Sequence, residues 1–366
     1  MVGKVVKYGG KTLCWYGKRK LRKHAAESAL ALGILGAAIT ATAALAAAQR
    51  RRAMLGKVVV ITGGSRGLGL QIAEVFGRHG AHLVLAARDA EELNEALAVL
   101  HQRGAILNSG TALTVVCDVT KTEDCARLVA QAIERYGRID VLINCAGIID
   151  VAPFQDQPLA AFEQAMAINF FGALHTIQAA LPHMQQVRSG SIVNIGSIGG
   201  KIGVPHMLPY VASKFALTGF TEGLRAELAG TGVTVTLVSP GLMRTGSHVN
   251  ARFGGDSQAE YQWFALGATL PGASASAKSA ARTIYNATVD GKAEITITPQ
   301  AWLAARIVGV APAFAANAAG LMTRAFLPKP NGNTRAVPGG ELQQPSFGPL
   351  RKWSDALQRQ SNENAA

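Results

Sequence analysis

Two residues near the middle of the chain, Tyr210 and Lys214, have the types and spacing that proton transfer requires. They stand four positions apart in YVASK, separated by small residues and one valine. Positions i and i+4 share one face of a helix, so the phenol and the ammonium group would be neighbours there. A free tyrosine keeps its proton at neutral pH, whereas a nearby cation favours the phenolate and lowers the tyrosine pKa. We therefore expect Tyr210 to exchange a proton with a substrate.

The segments around this pair alternate between apolar runs and helical patterns from Lys57 onward. Predicted helices separate the apolar runs, and they include about 159–187 and a helix through Tyr210 to Ala229. Continuous apolar runs are typical of strands that are buried on both faces. This order predicts an α/β fold, a doubly wound parallel sheet of Rossmann-like type with helices on both faces. The predicted strands are KVVVIT, HLVLAA, TALTVVCDV, IDVLINCAG, SIVNIGS, VTVTLVSPG and AEITIT.

A glycine-rich turn follows the first predicted strand and precedes a predicted helix. It reads TGGSRGLG, from Thr62 to Gly69. Glycines let backbone amides approach a pyrophosphate, and the N-terminus of the following helix favours an anion. The strand before the turn and the helix after it favour a nucleotide site over a turn without function.

Six ordered motifs give the chain its resemblance to a known family. TGxxxGxG is followed by NCAG at Asn144 to Gly147, by INFFG around Asn169, by Ser197, by YxxxK thirteen residues later, and by SPGLMRT. This pattern resembles that of the short-chain dehydrogenases/reductases over about residues 55–300. Cys145 stands where the family more often has asparagine, and we expect the site to tolerate it. The resemblance implies an oligomer by analogy with the family.

The resemblance also implies catalytic roles for four residues. Tyr210 would give a proton to a carbonyl oxygen as hydride arrives, or remove it in the reverse direction. Lys214 would lower the pKa of Tyr210 and hold the nicotinamide ribose. Ser197 would hydrogen-bond the substrate oxygen, and Asn169 would help to hold a proton-relaying water. Each residue alone has an ordinary structural explanation, but the four together favour a catalytic site.

The cofactor expected from this resemblance is NADP(H). Ala87 stands where members that prefer NAD carry an acid, and Arg88 follows it; Arg66 lies in the glycine-rich turn, and two guanidinium groups suit a 2′-phosphate. Asp89 is interpreted as a helix N-cap. Asp118 and Val119 would lie beside the adenine, and Thr245 beside the nicotinamide carboxamide. The complete predicted cofactor set is Thr62, Gly63, Ser65, Arg66, Gly67, Leu68, Gly69, Arg88, Asp118, Val119, Asn144, Ala146, Gly147, Tyr210, Lys214, Pro240, Gly241 and Thr245.

The segment after Thr245 corresponds to the substrate-binding loop of the family. Four aromatic residues there could line an apolar substrate site, or could instead pack the loop or a subunit interface: Phe253, Tyr261, Trp263 and Phe264. His206 and His248 are interpreted as polar surface groups rather than ligands, and no metal is predicted. The four cysteines lack CxxC spacing, which argues against a zinc site or a disulfide framework and favours a reducing compartment.

The N-terminal residues 1–54 are predicted to form a separate basic, membrane-associated segment. Residues 1–57 contain twelve Lys and Arg against one acid, whereas the rest of the chain carries 24 basic and 22 acidic residues, so an anionic membrane is the expected partner rather than nucleic acid. Residues 28–48 are uncharged and long enough to span a bilayer, but they are alanine-rich. A membrane anchor, an Ala-rich surface or dimer helix, and a cleaved signal peptide all remain open. With an anchor, the catalytic domain would lie on the cytoplasmic side; the alternative is a cytoplasmic protein.

The residues after the domain at 55–300 divide into two segments. Residues 301–327 are apolar at helical spacing and are interpreted as a helical extension, either a lid over the substrate site or a membrane-surface helix. From Pro328 to residue 366 the composition predicts disorder. The whole sequence predicts an NADP(H)-dependent oxidoreductase that interconverts a ketone or aldehyde and an alcohol, with an apolar substrate and reduction as the expected direction. The alternatives are a soluble reductase of 3-oxoacyl thioesters and a membrane-tethered NADP(H)-sensing scaffold without turnover.

Overall fold

Seven parallel strands form the central sheet in the described part of the chain. The computed structural model describes residues 53–107, 110–269 and 274–342, so the predicted apolar segment at 28–48 lies outside it. The strand order is β7-β6-β5-β4-β1-β2-β3. The bounds are Val58–Thr62 (β1), His82–Ala87 (β2), Ala112–Val116 (β3), Val141–Asn144 (β4), Gly190–Ile195 (β5), Val233–Ser239 (β6) and Glu294–Thr296 (β7).

Helices cover both faces of this sheet. Their bounds are Gly67–Arg78 (α1), Ala90–Gln102 (α2), Thr122–Tyr136 (α3), Leu159–Met166 (α4), Gly172–Gln186 (α5), Leu208–Glu227 (α6), Ser257–Thr269 (α7), Ala277–Val289 (α8), Pro299–Val310 (α9) and Pro312–Phe326 (α10). None of the helices within the described ranges is both long and apolar enough to cross a bilayer.

The alternation of side chains along β1 shows how the two faces are filled. Val59 and Ile61 belong to the core cluster that contains Phe76 of α1, whereas Val58 and Val60 belong to the opposite cluster, which contains Leu128 of α3. Successive strand residues point to opposite faces, so a strand that is apolar at every position is buried on both. The predicted doubly wound parallel sheet is confirmed.

The neighbouring strands β1 and β4 mark the point where the strand order reverses. From β1 the chain proceeds to β2 and β3 on one side, and from β4 to β5, β6 and β7 on the other. In open parallel sheets, the connections diverge at this point and leave a crevice outside the carboxyl ends of the strands. The sequence after Thr62 and the sequence after Asn144 therefore meet at one crevice.

The helical stretch predicted at about 159–187 contains an irregular turn. α4 and α5 are joined by a π-helical turn at Ala167–Phe171, which contains Asn169. A π-helical turn places one extra residue in the helix and is frequent at functional sites. Here it brings Asn169 into the buried interior.

The segment after Pro328 is ordered as far as residue 342, contrary to the predicted disorder. Val337–Pro338 pairs antiparallel with Arg252–Phe253. The buried carboxylate of Asp156 accepts N–H bonds from Asn331 at 3.1 Å and Gly332 at 2.8 Å. These partners lie far away in sequence, so local composition did not reveal them. The remainder of the tail lies outside the described residues.

Candidate active site

A cavity of about 1010 Å³ lies at the carboxyl ends of the strands, where the strand order reverses. Its lining comes from the segments that follow β1 to β6, so it draws on sequence from residue 63 to residue 267. One part is lined by the glycine-rich turn and another by apolar residues of the substrate loop. The catalytic residues predicted from YVASK are part of its wall.

The glycine-rich turn forms a close-fitting cradle at the start of α1. A Cβ atom on Gly69 would lie 2.0 Å from the carbonyl oxygen of Gly63, and one on Gly63 would lie 2.9 Å from the backbone of Ala146. No side chain caps the N-terminus of α1, which begins at Gly67. Unpaired helical N–H groups beside a side-chain-free turn suit a pyrophosphate. The residues present therefore fit a dinucleotide cofactor.

Most of the predicted cofactor residues line this cavity. They are Gly63, Ser65, Arg66, Gly67, Leu68, Gly69, Arg88, Asp118, Val119, Ala146, Gly147, Tyr210, Lys214, Pro240, Gly241 and Thr245. Thr62 and Asn144 do not line it and are buried behind it. The hydroxyl oxygen of Thr62 accepts N–H bonds from Cys145 at 3.1 Å and Ala146 at 3.3 Å. Thr62 therefore joins the end of β1 to the NCAG segment.

The side-chain amide of Asn144 belongs to a hydrogen-bond network that joins two strands and two helices. Its Oδ1 accepts a bond from the Thr176 hydroxyl at 2.6 Å, and its Nδ2 donates to Asn194 at 2.9 Å. Asn194 in turn donates to the Thr221 hydroxyl at 2.9 Å. Buried polar groups of this kind stabilise a fold when every member has a partner. In this structure Asn144 supports the cavity wall rather than forming its surface.

The two arginines expected at the 2′-phosphate differ in their surroundings. Arg66 forms a 2.6 Å ion pair with Glu92 of α2, and Ser65 donates to the same carboxylate at 2.8 Å. Arg88 is exposed at the cavity, and the described residues provide no ion-pair partner for it. Asp89 caps α2, since its carboxylate accepts N–H bonds from Glu91 and Glu92. The predicted N-cap is confirmed.

Ser197, Tyr210 and Lys214 all line the cavity. Ser197 follows β5, while Tyr210 and Lys214 lie on α6 and share one face. The Lys214 Nζ is 5.7 Å from the centroid of the Tyr210 ring. The Ser197 and Tyr210 side chains both lie beside Gly199, where a Cβ atom would be 3.5 Å from Ser197 Oγ and 3.4 Å from the Tyr210 ring. Lys214 also donates to the carbonyl of Ile195 at 2.8 Å, which fixes its position against β5.

Burial shifts the pKa values of Tyr210 and Lys214 more than the contact between the two side chains does. Desolvation raises the pKa of Tyr210 above its ordinary value, and the nearby Ser197 hydroxyl lowers it by a smaller amount. Desolvation lowers the pKa of Lys214 to about 8. The expected lowering of the Tyr210 pKa by Lys214 is therefore wrong for the protein without a bound cofactor, because loss of solvent dominates. The phenol stays protonated across neutral pH.

Asn169 supports this group from behind and does not line the cavity. Its side chain accepts an N–H bond from Ile148 at 2.9 Å, and donates to the carbonyl of Ile148 at 3.1 Å and to the Ser213 hydroxyl at 2.9 Å. A Cβ atom on Gly147 would lie 3.0 Å from Asn169 Oδ1 and 3.8 Å from Lys214 Nζ. Asn169 thus fixes the backbone after NCAG next to Lys214.

The four aromatic residues of the substrate loop divide between cavity lining and packing. Trp263 and Phe264 of α7 line the cavity, whereas Phe253 and Tyr261 do not. Phe253 and Tyr261 are buried together in the core of the loop, with ring centroids 5.4 Å apart. The apolar part of the cavity is further lined by Ile149, Ile202, Val204, Met207, Leu242 and Met243.

The interpretation of His206 and His248 as surface groups is wrong, because both are buried. His206 Nδ1 lies 2.7 Å from Oε1 of Glu260, a carboxylate without solvent exposure. Burial lowers the pKa of His248 to about 4, so this ring is neutral at physiological pH. The loop from residue 247 to 264 and the described C-terminal segment bury them, which local polarity could not indicate.

Comparison with known proteins agrees with this geometry. Residues 57–253 match the short chain dehydrogenase family. The chain belongs to this family. It is 38% identical over 211 residues to dehydrogenase/reductase SDR family member 7B of Danio rerio, which covers 57% of this chain and 68% of that protein. It is 39% identical over 191 residues to 11-beta-hydroxysteroid dehydrogenase A of Sesamum indicum, covering 52% of this chain and 53% of that protein.

The chain is also similar to a bacterial dehydrogenase. D-beta-hydroxybutyrate dehydrogenase of Rhizobium meliloti (strain 1021) is 35% identical over 189 residues, covering 52% of this chain and 72% of the relative. Membership of the short-chain dehydrogenase family makes the protein an oxidoreductase that acts on a CH–OH or C=O group with a nicotinamide nucleotide.

Sequence reasoning missed Glu92 and Gln164, which both line the cavity. The signal for Glu92 was available, since an acidic residue three positions after the N-cap Asp89 lies in the first turn of α2 and faces the crevice beside β1. The sequence also allowed residues 301–327 to form a lid. No residue of α9 or α10 lines the cavity, so the lid stays a prediction.

Proposed function

We propose that this short-chain dehydrogenase is an NADP(H)-dependent enzyme that interconverts a ketone or aldehyde and an alcohol, with an apolar substrate and reduction as its main direction. The observation that carries the proposal is the position of Ser197, Tyr210 and Lys214. They line the same cavity as the glycine-rich turn and the apolar residues Trp263 and Phe264. A substrate carbonyl bound in the apolar part can reach the Tyr210 phenol.

When bound, NADP(H) supplies or accepts the hydride. Tyr210 holds the proton that the carbonyl oxygen needs, and its raised pKa keeps that proton on the phenol until negative charge develops on the substrate oxygen. Ser197 can donate a hydrogen bond to the same oxygen. Such a donor acts most strongly when it is aimed at developing charge in a site from which water is excluded.

Lys214 would hold the nicotinamide ribose and help to return a proton to Tyr210 after the phenol has given one to the substrate. Its ammonium group is buried and bonded to the Ile195 carbonyl, so its position is fixed before any cofactor arrives. With a pKa of about 8, it remains mostly charged at pH 7 and can both give and take a proton within the physiological range. Asn169 would act through Lys214 and the NCAG backbone as a positioning residue.

The preference for the phosphorylated nucleotide rests on Arg66 and Arg88. Both line the cavity where the second strand ends, and Ala87 offers no carboxylate to a ribose 2′-hydroxyl. Guanidinium groups bind phosphate through charged, geometrically matched hydrogen bonds. Glu92 forms an ion pair with Arg66 in the structure, so binding of a 2′-phosphate would draw Arg66 away from that carboxylate.

The apolar substrate class rests on the lining of the other part of the cavity. Aliphatic side chains, Trp263 and Phe264 form most of the lining outside the glycine-rich turn, and the polar lining residues there include Gln164, Ser247, Asn250 and Arg252, of which Arg252 is paired with Asp150. The relatives named for a hydroxysteroid and for hydroxybutyrate suggest that this family accepts both bulky apolar and small polar alcohols. The lining of this cavity favours the bulky apolar class.

The test is turnover of NADPH and NADH by the full chain against ketones and aldehydes of rising chain length. We expect NADPH oxidation that increases with chain length, and a loss of about a hundredfold or more in Tyr210→Phe. Tyr285→Phe, which alters a buried tyrosine packed on Phe76 away from the cavity, is the matched control. Tight NADPH binding without turnover of any carbonyl, equal in wild type and Tyr210→Phe, would contradict the proposal and favour a cofactor-sensing protein.

A further inference from the structure

The helices α9 and α10, here called the C-terminal helical pair, present apolar side chains to solvent. α10 contains no buried residue, and Ala301 is the one buried residue of α9. Val310 is 88% exposed and Phe314 is 68% exposed. The other large apolar residues exposed on the pair are Trp302, Leu303, Ile307, Leu321, Met322 and Phe326. Eight large apolar residues exposed on two consecutive helices indicate an interaction site, whereas isolated exposed apolar residues are common.

The charge of residues 295–340 indicates which kind of partner the C-terminal helical pair binds. From residue 295 to residue 340 the chain carries four basic residues and no acid: Arg306, Arg324, Lys329 and Arg335. A second copy would place the same positive charge against this surface, which disfavours self-association. The surface of a bilayer with anionic lipids combines apolar depth with negative charge and complements both features.

The arrangement of the pair fits the plane of a bilayer surface. α9 has 12 residues and α10 has 15, which is fewer than the roughly 20 residues that a spanning helix requires. The Arg306 guanidinium lies 5.1 Å from the centroid of the Trp302 ring. An indole beside a cation suits the boundary between headgroups and acyl chains, where one side is apolar and the other is wet.

We propose that the C-terminal helical pair docks the enzyme on anionic membranes, with its apolar side chains among the lipid headgroups and upper acyl chains. The pair is also joined to the cavity wall. A Cβ atom on Gly241, which lines the cavity, would lie 2.6 Å from the Thr298 hydroxyl and 3.1 Å from the Ala301 side chain. Docking therefore holds the cavity close to the lipid surface.

The test uses the full chain and a residue-resolved readout, because the basic residues 1–57 can bind vesicles on their own. Hydrogen–deuterium exchange is followed with and without vesicles of phosphatidylcholine alone, or of phosphatidylcholine with phosphatidylglycerol. We expect peptides from residues 299–326 to gain protection with the anionic vesicles. Protection confined to residues 1–57 would overturn the proposal, as would protection at 299–326 that rises with protein concentration in the absence of vesicles.

Matched variants give the second measurement, which is the partition coefficient onto the same vesicles. Val310→Asp with Phe314→Asp should lower binding about tenfold or more, because both side chains leave the lipid. Leu107→Asp is the control, since Leu107 is 81% exposed but lies outside the pair. Arg306→Gln and Arg324→Gln should each cost about fivefold on anionic vesicles and little on neutral ones. Equal binding by the Val310/Phe314 variant and the Leu107 control, with equal protection of residues 299–326 from exchange, would overturn the proposal.

Discussion

The imidazole of His206 and the carboxylate of Glu260 form a buried pair, with Nδ1 and Oε1 2.7 Å apart. His206 lies in the turn before α6, and its φ of 64° places it in the left-handed region. Its carbonyl accepts bonds from the backbone of Ala152 at 2.8 Å and from the Gln157 side chain at 3.0 Å. The second Glu260 oxygen accepts the Trp263 indole N–H at 2.6 Å. The pair thus connects the start of the Tyr210 helix to a residue that lines the substrate cavity.

Trp263→Phe should weaken binding of an apolar substrate without changing the affinity for NADPH. The change removes the indole donor and leaves one oxygen of a fully buried carboxylate without its partner, which costs about 1–3 kcal/mol of unfolding free energy. We expect KM for an apolar ketone to rise about tenfold, while Kd for NADPH is unchanged. The control is Trp302→Phe, at an exposed tryptophan of α9. A loss of stability with unchanged KM would show that Trp263 only packs the loop.

The sheet and much of the site were predictable because their signals are local. The strands are continuous apolar runs, the glycine-rich turn stands between a strand and a helix, and Tyr210 and Lys214 are one helical turn apart. Each of these patterns is complete within about twenty residues. The parallel order then brings the carboxyl ends of the strands together, so the separate motifs meet without any further information.

The features that the sequence did not reveal depend on distant partners. Glu260 lies 54 residues after His206, and Gly332 lies 176 residues after Asp156. No local pattern distinguishes a histidine that will meet a buried carboxylate from one on the surface. The ionisation of Tyr210 was misjudged for a related reason, since desolvation depends on everything packed around the ring.

Gly69→Ala should abolish tight binding of the nucleotide. The added methyl group would lie 2.0 Å from the Gly63 carbonyl oxygen, so the turn must open and its amides must leave the pyrophosphate. We expect Kd for NADPH, measured by fluorescence titration, to rise about tenfold or more. Gly219→Ala on the exposed side of α6 meets no atom within 4 Å and should raise stability by about 1 kcal/mol. Equal NADPH affinity in the two variants would contradict the proposed cradle.

Glu92→Gln should strengthen the preference for NADPH over NADH. The change frees Arg66 from its 2.6 Å ion pair and removes a negative charge from the proposed 2′-phosphate site. A charged hydrogen bond contributes about 1.5–3 kcal/mol, so Kd for NADPH should fall about tenfold, while Kd for NADH changes little. Glu91→Gln, at the exposed neighbouring carboxylate, serves as the control. An equal fall in Kd for both nucleotides would show that Arg66 does not bind the 2′-phosphate.

The buried ammonium group of Lys214 should lower the stability of the cofactor-free enzyme at neutral pH. Its pKa is about 8 in the folded protein, against an ordinary value of 10.5. Below pH 8 both states are protonated, and the folded state bears the full cost of burying the charge, roughly 3 kcal/mol. As pH rises from 8 to 10.5, the folded lysine loses its proton before the unfolded one does, so the cost declines and then disappears.

Lys214→Met should therefore stabilise the cofactor-free protein while abolishing turnover. Urea unfolding should give a gain of about 2–3 kcal/mol at pH 7, slightly reduced by loss of the bond to the Ile195 carbonyl. At pH 10 the gain should fall below about 1 kcal/mol, because the folded lysine is already neutral there. Lys278→Met, at an exposed lysine of α8, should show neither the gain nor its pH dependence. A gain that is equal at pH 7 and pH 10 would mean that improved packing, rather than relief of a buried charge, stabilises the variant.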